Sequence, residues 1–90
     1  LLYDPRRSSE KILARQWRTE IKKIAPAYKT RMNYPYKGIS DGFTREIRKQ
    51  YTDEQYIGIE VETNQALTLN AQMLDSVKNI LTVSLLSLIC

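Results

Sequence analysis

Glu60, Glu62 and Asn64 fall at every second position of the stretch Ile57-Gly-Ile-Glu-Val-Glu-Thr-Asn-Gln65. A β-strand sends alternate side chains to opposite faces, so this spacing predicts two carboxylates and an amide on one face, with Ile57, Ile59, Val61 and Thr63 on the other. An acceptor-rich face backed by an apolar one is the pattern of a site edge, suited to moving a proton or holding a cation. The chain has no histidine. Acid–base chemistry near neutral pH therefore falls to these carboxylates.

A second block precedes it, Arg31-Met-Asn-Tyr-Pro-Tyr-Lys-Gly-Ile-Ser-Asp-Gly42. Residues 33–38 read as a turn or loop, because Pro35 removes a backbone donor and Gly38 tolerates unusual backbone angles. The elements needed to position these two blocks follow from periodicity. Ser8 or Ser9 caps an expected helix to about Ile24, with Glu10 in its first turn and Ile12, Leu13, Trp17, Ile21 and Ile24 recurring near the helical period. Ala25-Pro26 ends it. Residues 28–33 are expected to form a short strand. Ser40 or Asp41 caps a helix over 42–50 that presents Phe43, Ile47 and Tyr51 to a core, and residues 52–55 lead into the 57–65 strand. Asn70 caps a long helix from Ala71, with Met73, Leu74, Val77, Ile80, Leu81 and Leu88 inward. The order α-β-α-β-α predicts an α/β layered domain with parallel strands covered by helices.

Together, an Asn33-x-Pro35-Tyr36-x-Gly38 loop and a Gly58-Ile-Glu60-x-Glu62-x-Asn64-Gln65 strand resemble the C-terminal half of the N-formylglutamate amidohydrolase family. Leu2-Tyr-Asp-Pro5 and the helix around Trp17 are similar to the family's lead-in. The resemblance covers nearly the whole chain, the two blocks being specific and the helices compatible. It implies a partial three-layer, zinc-peptidase-like α/β domain, of which residues 1–90 are the C-terminal portion. It also implies hydrolysis of N-formyl-L-glutamate, or a similar N-acyl amino acid, to the amino acid and formate. Zinc or another divalent metal is expected in the full-length parent, held mostly by ligands outside this chain. In such hydrolases the metal polarises the carbonyl and a carboxylate carries the proton to the departing amine.

On that resemblance Glu62 is the expected general base or metal-facing acid, with Glu60 the second choice. Arg31 and Lys37 flank the loop and offer a bidentate fork and a point charge to the carboxylates of an anionic small-molecule substrate. Asn33 and Tyr36 offer hydrogen bonds to substrate or to a tetrahedral oxyanion, and Asn64 shares the face of the two glutamates. Arg45 and Arg48, one turn apart, extend a basic wall or simply line an exposed helix face.

Composition sets the bounds. Ninety residues make one small domain or part of a larger one, and the apolar opening and closing segments read as a portion of a longer protein whose N-terminal half would be its partner in the domain. The net charge of +4 comes from basic residues scattered from Arg6 to Lys78, which fits solvated helix faces. A basic nucleic-acid module using Arg15, Arg18, Lys22 and Lys23, or an inactive remnant, are the rival readings; the aromatic residues gather away from that basic face, which argues against nucleic acid. A single cysteine, Cys90, allows no internal disulfide, and the apolar run from Ile80 falls short of the ~20 residues that cross a bilayer. A reducing cytoplasm without a membrane partner is the expected setting.

Overall fold

The computed structural model describes residues 1–34, 38, 42–64 and 69–89. Three helices account for the regular structure there: α1 Ser8–Ile24, α2 Gly42–Gln50 and α3 Ala71–Ile89. The architecture is all-α, and the expected α/β layer with parallel strands is overturned. Residues 28–33 and the described part of 57–65 form no strand. The one β-type pairing among the described residues is an isolated antiparallel bridge between Leu2 and Glu60.

The reason lies in which segment each stretch finds. Both run to residues 1–3 and not to each other. Leu2 and Glu60 exchange backbone bonds of 2.8 and 2.9 Å, while the Asn33 amide donates to the Leu1 carbonyl at 2.9 Å. Asn33 then adopts φ 52°, a left-handed conformation that turns the chain out of the β region and stops any ladder.

The helices begin and end for local reasons. α3 starts where expected: Asn70 Oδ1 accepts the Met73 amide at 2.9 Å, the side-chain N-cap bond. α1 stops at Ile24, and a turn follows in which the Ala25 amide donates to Ile21 and the Tyr28 amide to Ala25 around Pro26. Its N-terminus departs from the expected Ser8 or Ser9 cap. The Ser9 amide donates to Asp53 Oδ2 at 3.2 Å, and the Ser9 hydroxyl donates to the Asp53 carbonyl at 2.6 Å, so a carboxylate 44 residues away caps the helix. The residues expected to cap α2, Ser40 and Asp41, lie outside the described residues.

The chain divides into two compact units. One comprises Leu1–Arg15 and Arg31–Val61, the other Gln16–Thr30 and Glu62–Cys90. In the first, Leu1, Leu2, Tyr3 and Ala14 are buried together with the polar Asp4, Glu10 and Thr44. The expected inward face of α2 is corrected: Phe43 is 74% exposed and Tyr51 49%, while Thr44 and the Arg48 side chain are buried. A buried glutamate on α1 draws the polar face of α2 inward, against the apolar periodicity. In the second unit Trp17, Ile21 and Ala25 of the α1 region and Val77 and Ser84 of α3 are buried. The Trp17 indole Nε1 donates to Ser84 Oγ at 2.8 Å, which explains why a serine occupies an interior position of an apolar helix. Among the described residues no helix is long and apolar enough to cross a membrane.

Candidate functional site

Glu10 is the largest fully buried side chain among the described residues of the first unit, with none of its surface exposed. An unpaired carboxylate in that position would be prohibitively costly, and the structure surrounds it with donors. Glu10 Oε1 accepts the Asp4 amide at 2.9 Å and Arg48 Nη2 at 2.8 Å. Glu10 Oε2 accepts Arg48 Nε at 3.0 Å and the Gly58 amide at 3.1 Å. Arg7 Nε stands 3.3 Å from the same oxygen. Arg7 in turn donates to the carbonyls of Arg48, Tyr51 and Tyr56.

Arg48 completes the arrangement. Its guanidinium also donates to the Gly38 carbonyl at 2.8 Å, the Gly58 carbonyl at 2.9 Å and Thr44 Oγ1 at 3.2 Å. Five N–H groups are all that arginine has, and each finds an acceptor here. Thus α2 is tied to α1, to the end of the 33–38 loop and to the start of the 58–64 stretch through one side chain.

Above this network the backbone of residues 1–3 gathers the two sequence blocks. The Leu1 nitrogen donates to the Arg31 carbonyl at 2.8 Å. Asn33 Oδ1 accepts the Tyr3 amide at 2.9 Å and the Gly38 amide at 3.3 Å, and the Gly38 amide also donates to the Tyr3 carbonyl at 3.0 Å. Gly38 presses so closely on Tyr3 that a Cβ there would lie 2.3 Å from the Tyr3 nitrogen.

The expected site residues divide accordingly. Arg31, Asn33 and Glu60 belong to the first unit and converge on residues 1–3. Arg31 is exposed, and its guanidinium carbon lies 4.4 Å above the Tyr34 ring centroid, a cation–π contact that restrains a long side chain. The Asn33 carboxamide oxygen holds the loop's own backbone, so its first role is structural. Glu60 is half-buried beside Leu2. Glu62 and Asn64 are exposed residues of the second unit, and the alternating face expected for Glu60, Glu62 and Asn64 lapses with the strand that was to carry it. Tyr36 and Lys37 lie outside the described residues. Arg45 is exposed, whereas the side chain of Arg48, expected beside it on a basic wall, is buried.

Charge is managed in pairs throughout this unit. Burial pushes the Asp4 carboxyl up, but the Arg6 guanidinium, which bonds both its oxygens at 3.0 Å, the Arg6 amide and the more distant Arg48 charge together bring it below its ordinary value. The same bonds raise Arg6. The Ser9 hydroxyl bond to Asp53, assisted by the Ser9 amide and the charge of Arg7, holds the Asp53 carboxyl below the usual range.

With Asp4, Glu10 and Asp53 engaged by arginine and serine, the described residues include no group of three acidic or sulfur ligands able to hold a metal ion. No metal centre forms among the described residues, so the metal-dependent hydrolase expectation draws no support from metal ligands there. No protein-family model, curated protein or solved structure matches the chain.

Sequence reasoning missed Glu10, Arg7 and the inward Arg48. A signal was present: Arg7 and Glu10 stand three apart at a helix start, and Thr44 and Arg48 four apart give α2 a polar stripe as regular as its apolar one.

Proposed function

We propose that this chain is the C-terminal portion of an amidohydrolase that converts N-formyl-L-glutamate, or a similar N-acyl amino acid, to the amino acid and formate. One observation supports the reading above the others. The two blocks that carry the resemblance both hydrogen-bond to residues 1–3 of a single unit, through Asn33 and Gly38 on one side and Glu60 on the other. A shared anchor is what two halves of one substrate site require.

In this reading Arg31, steadied on Tyr34, receives a substrate carboxylate; a planar guanidinium matches that group with two parallel bonds. Hydrolysis adds water across the amide C–N bond, the oxygen going to the formyl carbon and a proton to the departing nitrogen. A carboxylate suits that transfer. Glu62 is the carrier that the resemblance names and Glu60 the second candidate; Glu60 is the one that shares a unit with Arg31 and Asn33. A divalent metal such as zinc belongs to the proposed parent, with ligands outside this chain, and a cytoplasmic setting accords with the single cysteine.

The test is release of formate from N-formyl-L-glutamate by the parent protein that contains this chain. Turnover lost in Glu62→Gln with the fold retained supports the assignment. Absence of turnover in the unmodified parent, or full activity in both Glu62→Gln and Glu60→Gln, overturns it.

A further inference from the structure

Resting on that reading of the site, we infer that Arg48 and Glu10 are its positioning residues: a buried ion pair that sets the spacing between Gly38 and Gly58 within the first unit. The argument is one of geometry. Of the five bonds from the Arg48 guanidinium, two go to the carbonyls of Gly38 and Gly58, the glycines that bound the two blocks, and two go to Glu10. Glu10 returns the contact by accepting the Gly58 amide and the amide of Asp4, which follows the anchoring residues 1–3. Each glycine is thus held through its own backbone, without dependence on any substituent.

A pair that served only to join α1 and α2 would need no bonds beyond the two helices. This one spends its polar capacity on loop carbonyls. The amides of Gly38 and Gly58 have partners in Tyr3 and Glu10; the guanidinium adds the tie between their carbonyls, and without it that direct link between the two glycines is gone. Lysine cannot substitute: a single ammonium has three donors on a flexible stem, against five in a planar fork. Neither side chain touches substrate in this scheme. Both act through the backbone they hold.

Amide hydrogen exchange resolved by residue, in the full chain carrying Arg48→Lys or Glu10→Asp, tests the inference. Both variants keep the charges and shorten or weaken the reach. The expected result is exchange about tenfold or more faster at Gly38 and Gly58, as the loss of a bond to a charged group implies, with the protected amides of α1 and α3 unchanged. Unchanged exchange at the two glycines overturns the inference. So does a uniform rise across the helices, or global unfolding of both variants, since either makes the pair a general stabiliser. In the parent protein, Arg48→Lys should lower kcat for N-formyl-L-glutamate more than it alters KM. If the unmodified parent does not hydrolyse that substrate, the proposed function fails, while the exchange result still decides the positioning role.

Discussion

Arg48 meets Glu10 across 38 residues of sequence through two bonds of 2.8 and 3.0 Å, in the bidentate fork geometry, with 7% and none of the two side chains exposed. Such a pair gains little over a well-packed apolar replacement, because both charges have left water, but removing one partner strands the other. Arg48→Ala and Glu10→Ala should each lower unfolding stability by about 3–5 kcal/mol. That is a large part of what a domain of this size possesses. Arg48→Met combined with Glu10→Leu should cost less than either alanine variant. Urea titrations followed by circular dichroism of the single and double variants measure the difference, and additive losses would rule out the coupling.

In the second unit the equivalent anchor is neutral. Trp17 Nε1 has Ser84 Oγ as its partner at 2.8 Å, and Ser84 donates onward to the Leu81 carbonyl at 3.1 Å. Ser84→Ala should therefore destabilise by about 1–3 kcal/mol, the cost of leaving a buried donor without an acceptor. Adding Trp17→Phe to Ser84→Ala should add less than Trp17→Phe costs alone, because the stranded N–H is gone. Thermal unfolding of the three variants reads this.

Acid sensitivity follows from Asp4 and Asp53. Both carboxyls titrate below their ordinary value of 3.8 in the folded chain. The unfolded chain thus binds more protons across that interval, and stability rises with pH there. The contribution is fully present above about pH 3.8 and is lost as the pH falls through the lower folded values. Stability measured from pH 5 downward should decline, and Asp4→Asn should flatten part of the decline while lowering the plateau. A stability that increases on acidification through this range would contradict the Arg6 and Ser9 bonding.

The residues legible in the sequence are those whose partners are close in the chain. Asn70 caps α3 three residues ahead of Met73, and Ala25-Pro26 closes α1; both are local, and both appear where periodicity and backbone chemistry place them. The misreadings are all long-range. Alternation at Glu60, Glu62 and Asn64 describes what a strand would do, but says nothing of whether a partner edge exists, and here the available edge is three residues long. Asp53 displaces Ser8 and Ser9 as the cap because a carboxylate offers stronger acceptance to helix amides than a hydroxyl and happens to fold against them. Periodicity on α2 puts Phe43, Ile47 and Tyr51 inward, yet Phe43 and Tyr51 are exposed and Ile47 is half-buried, because apolar spacing carries no information about a buried charge elsewhere. Glu10 reverses that face, and only its burial reveals why. The site residues follow the same division: Asn33, at its left-handed turn, is recognisable as a turn-former, whereas the convergence of Gly38 and Glu60 on residues 1–3 is a tertiary fact.

Gly38 gives the sharpest check on that convergence. A Cβ at this position would sit 2.3, 2.4 and 2.6 Å from the Tyr3 nitrogen, α-carbon and carbonyl carbon, all main-chain atoms that cannot rotate aside. Gly38→Ala should force residue 38 away from Tyr3, breaking the Gly38-to-Tyr3 bond and the Asn33 carboxamide bond to the residue-38 amide. Overpacking of this kind costs about 1–3 kcal/mol or more. Gly42→Ala is the matched control. Among the described residues, nothing beyond its chain neighbours and its own helix backbone lies within 4 Å of a Cβ there, and the residue opens a helix, so alanine should be neutral or stabilising by up to about 1 kcal/mol. Chemical shifts of the Tyr3 and Asn33 amides should move in the first variant and stay in the second. If Gly38→Ala leaves those amides and the unfolding midpoint unchanged, the loop does not pack on Tyr3, and the common anchor of the two sequence blocks is lost with it.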